Sequence, residues 1–418
     1  MKFSWTLLLL MFFLVPVLAT DFYVSNSGDD SAEGTTPATA WRTIGKVNNE
    51  LSGGVINQGD DVYFKRGDTF TGTGLKLRLG GTSGNWMEIG AYGTGARPIF
   101  DINGDNAIVL YSSGVSYIRI QDLEITSSGG NYNGITFDKT GGVTNIHIRN
   151  IYAHDLPYNG IFLARIDGYL IEDCIVENAV QCGFVIYGRA DHITNGIIRN
   201  CKASGADDGF TLHSDSSLNP PGDNHAFINC TGYNNREEGF DLVTQIGCDN
   251  VIYKDCTAYG NGNAGLILGD DVKRVFIDNF YSYDQTGGGA EGISFVDCDE
   301  VVLRNSVIDN SNDDMLMLNY EGSSGITGSV AVVHNTFVWG SITNDFIEVS
   351  KTNGHTGNKI FKNNIFYSPS TSAPNTFVGY DYTNTFANTN SEYAHNMWWR
   401  GDGATGGHWN DAGSGTHD

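Results

Sequence analysis

Two acidic pairs, Asp207-Asp208 and Glu237-Glu238, each stand immediately before a Gly-Phe dipeptide, and Asp241 follows the second. Carboxylates gathered this way repel one another unless protons or a cation neutralise them. Calcium is the natural cation, because it takes about six to eight oxygen ligands from carboxylates and carbonyls. The same groups offer a second chemistry, an acid and base pair in which one carboxyl keeps its proton and its neighbour does not. A plainer reading also fits, since Asp270-Asp271 and Asp313-Asp314 show that the chain collects acidic pairs elsewhere.

Basic and aromatic residues surround these acids in sequence. Arg236 adjoins the second pair, His213 follows the first, and Lys273 and Arg274 come one segment later. A histidine titrates near neutrality and suits proton transfer. Arg236, His213 and Lys273 are therefore the candidate bases, and Arg274 a candidate substrate contact, each with an ordinary alternative as a solvated or ion-paired surface group. Tyr233, Tyr259 and Tyr283 recur at one local position. Outward tyrosines in a row form either a flat platform for sugar rings or an aromatic stack that stabilises the surface.

The elements that position these residues are announced by a ladder of Asn or Asp: Asp122, Asn150, Asp173, Asn200, Asn229, Asp255, Asn279, Asn305, Asn335 and Asn364, spaced by 23 to 30 residues. An apolar, often β-branched segment precedes each rung, another follows, and a third opens about ten residues later at Gly plus Ile, Phe or Leu, as at Gly183-Phe184, Gly209-Phe210 and Gly239-Phe240. Three short strands per repeat with a polar corner predict an all-β fold, a right-handed parallel β-helix of about ten or more coils. Inward rungs would hydrogen-bond up and down the stack. The position after each rung would form an interior column holding Cys174, Cys201, Cys230 and Cys256, four of seven cysteines, as core packing.

In register, the pair before each strand-opening glycine changes from coil to coil while the fold stays constant. The series runs Tyr132-Asn133, Tyr158-Asn159, Gln181-Cys182, Asp207-Asp208, Glu237-Glu238, Asn263-Ala264 and Ala290-Glu291. Strand alternation points Thr211 and His213 outward on one coil and Asp241 and Val243 outward on the next.

Glu237-Glu238-Gly239-Phe240-Asp241 resembles the DDGFD motif of pectate lyases of polysaccharide lyase family nine, with both leading Asp residues changed to Glu. The "YVS…G.D" start at Tyr23 and the "GD.V.F..GD.F" stretch from Gly59 are similar to the N-terminal regions of secreted β-helix proteins that act on carbohydrates. The resemblance implies that Glu237, Glu238 and Asp241 bind calcium together with Asp207 or Asp208. The ion would then bridge to a substrate carboxylate and acidify the proton on C5. It also implies a lysine base on the following coil, where Asn263-Ala264-Gly265-Leu266-Ile267-Leu268-Gly269 places Ile267 instead. An isoleucine cannot abstract a proton, so either another residue such as Arg236, His213 or Lys273 supplies the base, or the chemistry differs, or the chain is not a lyase.

The function expected is thus a secreted, calcium-dependent polysaccharide lyase that cleaves a uronate-containing, pectate-like polymer by β-elimination. A glycoside hydrolase using a carboxylate pair, and a non-catalytic carbohydrate-binding β-helix, remain open. A net charge of −24 leaves no basic stripe for nucleic acid. It suits an acidic polymer only through a bridging cation. Residues 1–19, with Lys2, an apolar run and Val17-Leu18-Ala19, read as a signal peptide, and nothing later is long and apolar enough to span a membrane. The expected organisation is an N-terminal cap with irregular first coils over 20–110, the regular β-helix over 111–370 and an irregular coil and tail over 371–418, acting as a monomer.

Overall fold

A computed structural model of the chain describes residues 19–189, 192–214, 222–243, 248–269, 272–319, 329–339, 346–350, 357–368, 378–381 and 392–400. The expected leader, over 1–19, lies outside these residues except for its last position, and so does most of the expected tail.

Nearly every element is a short parallel strand paired with its counterparts one coil before and one coil after. A representative coil contains three: Asp208–Ser214, His225–Ile228 and Thr231–Tyr233. Strands of the third kind stack into a 13-stranded sheet, while the first two kinds make a 24-stranded sheet that folds around two faces of the solenoid. Below, these are the first, second and third faces. The one α-helix among the described residues, Ile44–Gly53, is capped by the Thr43 side chain on the Lys46 amide and buries Ile44, Val47 and Leu51 in the same continuous core.

The core consists of columns in which one inward residue lies over the next. Phe184, Phe210 and Phe240 are in register and stack at 4.8 and 4.9 Å with ring planes within 9°. The cysteine column is also interior. Cys174, Cys201, Cys230 and Cys256 are buried, and all seven cysteines are free. Their thiols turn to corner carbonyls, as Cys174 to Glu172 at 3.2 Å and Cys201 to Arg199 at 3.2 Å. Ser306, Asn335 and Asn364 continue the column with stronger donors, Ser306 Oγ reaching the Arg304 carbonyl at 2.8 Å.

The ladder marks the corner as expected, but its side chains face the other way over most of its length. From Asp122 to Asn305 the rungs have φ between 51° and 63°, the left-handed conformation that Asn and Asp tolerate best. That backbone turns the side chains outward, where they bond from coil to coil: Asn229 to Asn200 at 2.9 Å and Asn279 to Asp255 at 2.7 Å. Only Asn335 and Asn364 point inward, because there the left-handed residues are His334 and Asn363, one position earlier.

The glycine that opens each first-face strand has a steric cause. A Cβ on Gly183, Gly209, Gly239 or Gly265 would lie 2.6–2.8 Å from the carbonyl oxygen of the next glycine in the column. Coil-to-coil contact is too close there for any side chain.

Candidate functional site

The acids expected to gather do so on the first face, in two groups. Asp208 begins its strand, in register with Cys182 one coil earlier. Asp241 is paired with Thr211 and follows Phe240, whose ring is fixed beneath by the phenylalanine column. Glu238 precedes Gly239, and its amide donates to Asp208 Oδ1 at 3.2 Å. One oxygen each from Asp208, Glu238 and Asp241 lies within 4.8 Å of the others, and all three residues are buried. Asp207 and Glu237, the leading members of the pairs, stand outside this trio. Asp207 accepts from Arg236 Nε at 2.7 Å, and Glu237 is exposed.

The partners of the trio are unequal. Asp241 Oδ2 makes a short hydrogen bond with His213 Nε2, while Asp241 Oδ1 is buried with no partner. Glu238 Oε1 accepts from Asn263 Nδ2 at 2.5 Å. Cys182 Sγ lies 3.5 Å from Asp208 Oδ2. Burial, a hydrogen bond to Asp208 and the charges of Asp241 and Asp208 push Glu238 up to about 9. Burial also raises Asp241, outweighing the hydrogen bond and charge of His213, which act to lower it. Burial would lower His213, and its bond to Asp241 outweighs that and raises it. The Cys182 thiol is raised by burial and by Asp208, so it is no nucleophile.

Other expected site residues are elsewhere. Arg236 adds to its Asp207 pair a bond to the Gly205 carbonyl at 3.3 Å and another to that of Val180. Lys273 and Arg274 open the second-face strand Lys273–Asp278, where Arg274 is held by Asn250 at 2.9 Å and by Asp249. Tyr233 and Tyr259 lie on the third face, where Tyr233 stacks on Tyr259 at 5.1 Å and Tyr259 on Tyr283 at 4.8 Å, planes 17° and 10° apart. Rings stacked this way cover one another's faces and leave edges and hydroxyls outward, which suits stabilisation better than sugar stacking. Ile267 is in register beside Asp241 on the following coil.

Two neighbours of the trio escaped the sequence reading as site residues. Asn263 and Cys182 both belong to the corner series that singled out the acids, so the same register could have found them. What the register lacks is reach, because Asn263 and Cys182 serve acids one coil away.

The arrangement lies within a matched region. The family model described as Pel9A-like, right-handed β-helix region, matches residues 22–273, more than half of the chain and all of the trio. The chain belongs to this Pel9A-like right-handed β-helix family. Within its Pel9A-like region fall all the candidate acids, His213 and Arg236. Among curated proteins, the chain is similar to a lacto-N-biosidase of Bifidobacterium longum subsp. longum, with 25% identity over 382 residues that cover 75% of this chain and 21% of that protein. The chain thus spans about a fifth of that relative's length. Among solved structures it is similar in fold to a lacto-N-biosidase of Eubacterium ramulus, with TM-score 0.53, 16% identity, and 91% of this chain and 67% of that one covered. It is also similar to the A-module of an Azotobacter vinelandii mannuronan C-5 epimerase, with TM-score 0.56, 12% identity, and 85% and 93% covered.

Proposed function

We propose that this chain is a carbohydrate-active enzyme that hydrolyses glycosidic bonds at the trio, with Glu238 as proton donor and Asp241 as its ionised partner. The observation that carries this reading is the inequality of their surroundings. Asp241 has an imidazole partner, His213, that acts to lower its pKa, whereas Glu238 has only an amide and another carboxyl group. Glycosidases need such a division, one carboxyl holding a proton for the leaving oxygen and the other kept negative beside the sugar. Asp208 holds the proton on Glu238 through their hydrogen bond. The biosidase relative supports a carbohydrate substrate, and the leader-like start supports export.

A second reading, calcium-dependent β-elimination on a uronate polymer, is favoured by one observation, the buried Asp241 Oδ1 without a donor. A cation satisfies such an oxygen, and three oxygens this close can share an ion bound at about 2.3–2.6 Å. When bound, calcium would neutralise a substrate carboxylate and so acidify the neighbouring C–H. Asp208, Glu238 and Asp241 would hold it, and His213 would take the proton. Ile267 supplies no base.

Incubating the protein with neutral and uronate glycans, with and without chelator, separates these readings. Hydrolysis predicts new reducing ends, no unsaturated product absorbing in the ultraviolet, and no loss on chelation. Unsaturated product abolished by chelator would overturn hydrolysis in favour of elimination. Binding without turnover on every glycan would sink both.

A further inference from the structure

Away from the trio, the first face carries an unusual charge for so acidic a chain. Tyr111, exposed just after the strand Ile108–Leu110, has three cations about its ring: Arg78 Cζ at 4.0 Å, Lys139 Nζ at 5.9 Å and Lys76 Nζ at 6.0 Å. Lys76 is paired with Asp105 at 3.5 Å. Arg78 and Lys139 make no ion pair among the described residues, and Arg78 Nε is buried without an acceptor. Arg78 also lines a polar hollow of about 600 Å³ together with Ser113, Ser116, Thr82 and Ser83. With 48 acidic residues against 24 basic ones, the chain has ample carboxylates to neutralise these cations, yet among the described residues two carry no ion pair beside an exposed ring.

Register joins this cluster to the trio. Asp138, Ala164, Tyr187 and His213 are paired in succession along one outward column. Tyr111 falls one coil earlier, three residues after Ile108, as Asp138 falls three after its partner Ile135. Between the ends lie more cationic and aromatic side chains. Arg189 Cζ is 4.9 Å from the Tyr187 ring, Tyr187 is 5.4 Å from Phe162, and Arg165 pairs with Asp138 at 2.8 Å. Four coil steps of about 4.8 Å put Tyr111 roughly 19 Å from His213. A chain of several sugars spans that distance.

We propose that Arg78, Tyr111 and Lys139 form a distal subsite that seats a carboxylated or sulfated sugar of a glycan lying along the first face, with its cleavable bond at the trio. The guanidinium and ammonium supply charge-assisted hydrogen bonds to the anion. The exposed tyrosine edge and the hollow supply hydroxyls for the sugar. The substrate is then an acidic glycan held by protein cations, with several residues between anion and scissile bond. The placement of the scissile bond rests on the trio being the cleavage centre; the anion subsite does not.

The test uses the full chain carrying Glu238→Gln, so that no glycan is consumed, and calorimetric titration with polygalacturonate, dextran sulfate and unmodified dextran. Tighter binding of one anionic polymer than of dextran, weakening with salt, is the expected result, and which polymer wins tells carboxylate from sulfate. Adding Arg78→Ala and Lys139→Ala should weaken that binding roughly tenfold for each cation removed, with the melting temperature as the control for folding. Equal affinity for dextran and both anionic polymers overturns the subsite, as does undiminished binding by the folded double variant. In the otherwise native chain, the double substitution should depress turnover of long acidic substrates while sparing short ones. Loss of binding in a chain that turns over nothing would keep the subsite and discard the hydrolase.

Discussion

Phe210 stacks on Phe240 at 4.9 Å with planes 9° apart, and Asp208, two residues before the first ring, and Asp241, directly after the second, come from different coils yet bring carboxylate oxygens within 4.8 Å of each other. The apolar column thus sets the spacing of the polar cluster above it.

Replacing Phe240 by Ala should therefore do two things. A buried Phe→Ala change costs about 3–5 kcal/mol, read as a lower urea midpoint. Activity should fall further than unfolding explains, because the coil carrying Asp241 loses its seat. Full specific activity in the fraction that remains folded would refute the link between stack and site.

Glu238 makes stability depend on pH. Its pKa is about 9 in the folded chain against 4.5 when unfolded, so the folded state holds a proton that the unfolded state releases. Its contribution is fully present below about pH 4.5 and is lost as pH rises toward 9. In the absence of divalent cations, the wild-type melting temperature should fall over that window, and Glu238→Gln should flatten the fall. Identical slopes in the two proteins would show that Glu238 is not protonated.

His213→Ala removes the two strongest influences that lower Asp241, so burial and the charge of Asp208 raise it further against only a backbone hydrogen bond from Val243. The pH profile of kcat should move to higher pH, with a loss of about a hundredfold at neutrality and little change in KM. A merely structural His213 would lower activity without moving the profile.

Acid should weaken the fold through His225, which is buried on the second face with its Nδ1 beside the Tyr169 hydroxyl at 2.9 Å and its Nε2 unpartnered. Burial lowers its pKa from 6.5 to about 4. Between those values the unfolded chain binds a proton that the folded chain refuses, so stability is intact above about pH 6.5 and falls toward pH 4. The loss is on the order of 3 kcal/mol. Urea unfolding across this range checks it, and His225→Gln should remove that part of the slope.

The fold was legible because a solenoid writes its geometry into sequence period: every rung, glycine and interior cysteine recurs at one place in each coil. The acids were legible for the same reason, since Asp208 and Glu238 occupy equivalent corner positions. Two matters were not. The outward turn of the ladder depends on φ at Asn200 or Asn279, and a repeat of Asn implies a special corner without saying which side of the wall its amide takes. The separation of Asp207 and Glu237 from the trio, and the capture of Arg236 by Asp207, depend on neighbouring coils rather than on adjacent residues. Arg236 and Lys273 were close to the acids in sequence, whereas the partners that matter stand one full coil away, as Asn263 does from Glu238 and His213 from Asp241.

The glycine column has a consequence for how such a wall acquires new chemistry. Because carbonyls of successive coils crowd Gly183, Gly209, Gly239 and Gly265, the backbone there is clamped whatever residue comes just before it. Cys182, Asp208, Glu238 and Ala264 stand in those preceding positions like interchangeable bits in one holder. A single substitution, such as Ala264→Asp, would extend the row of acids by one coil toward Glu291 without asking the solenoid to bend.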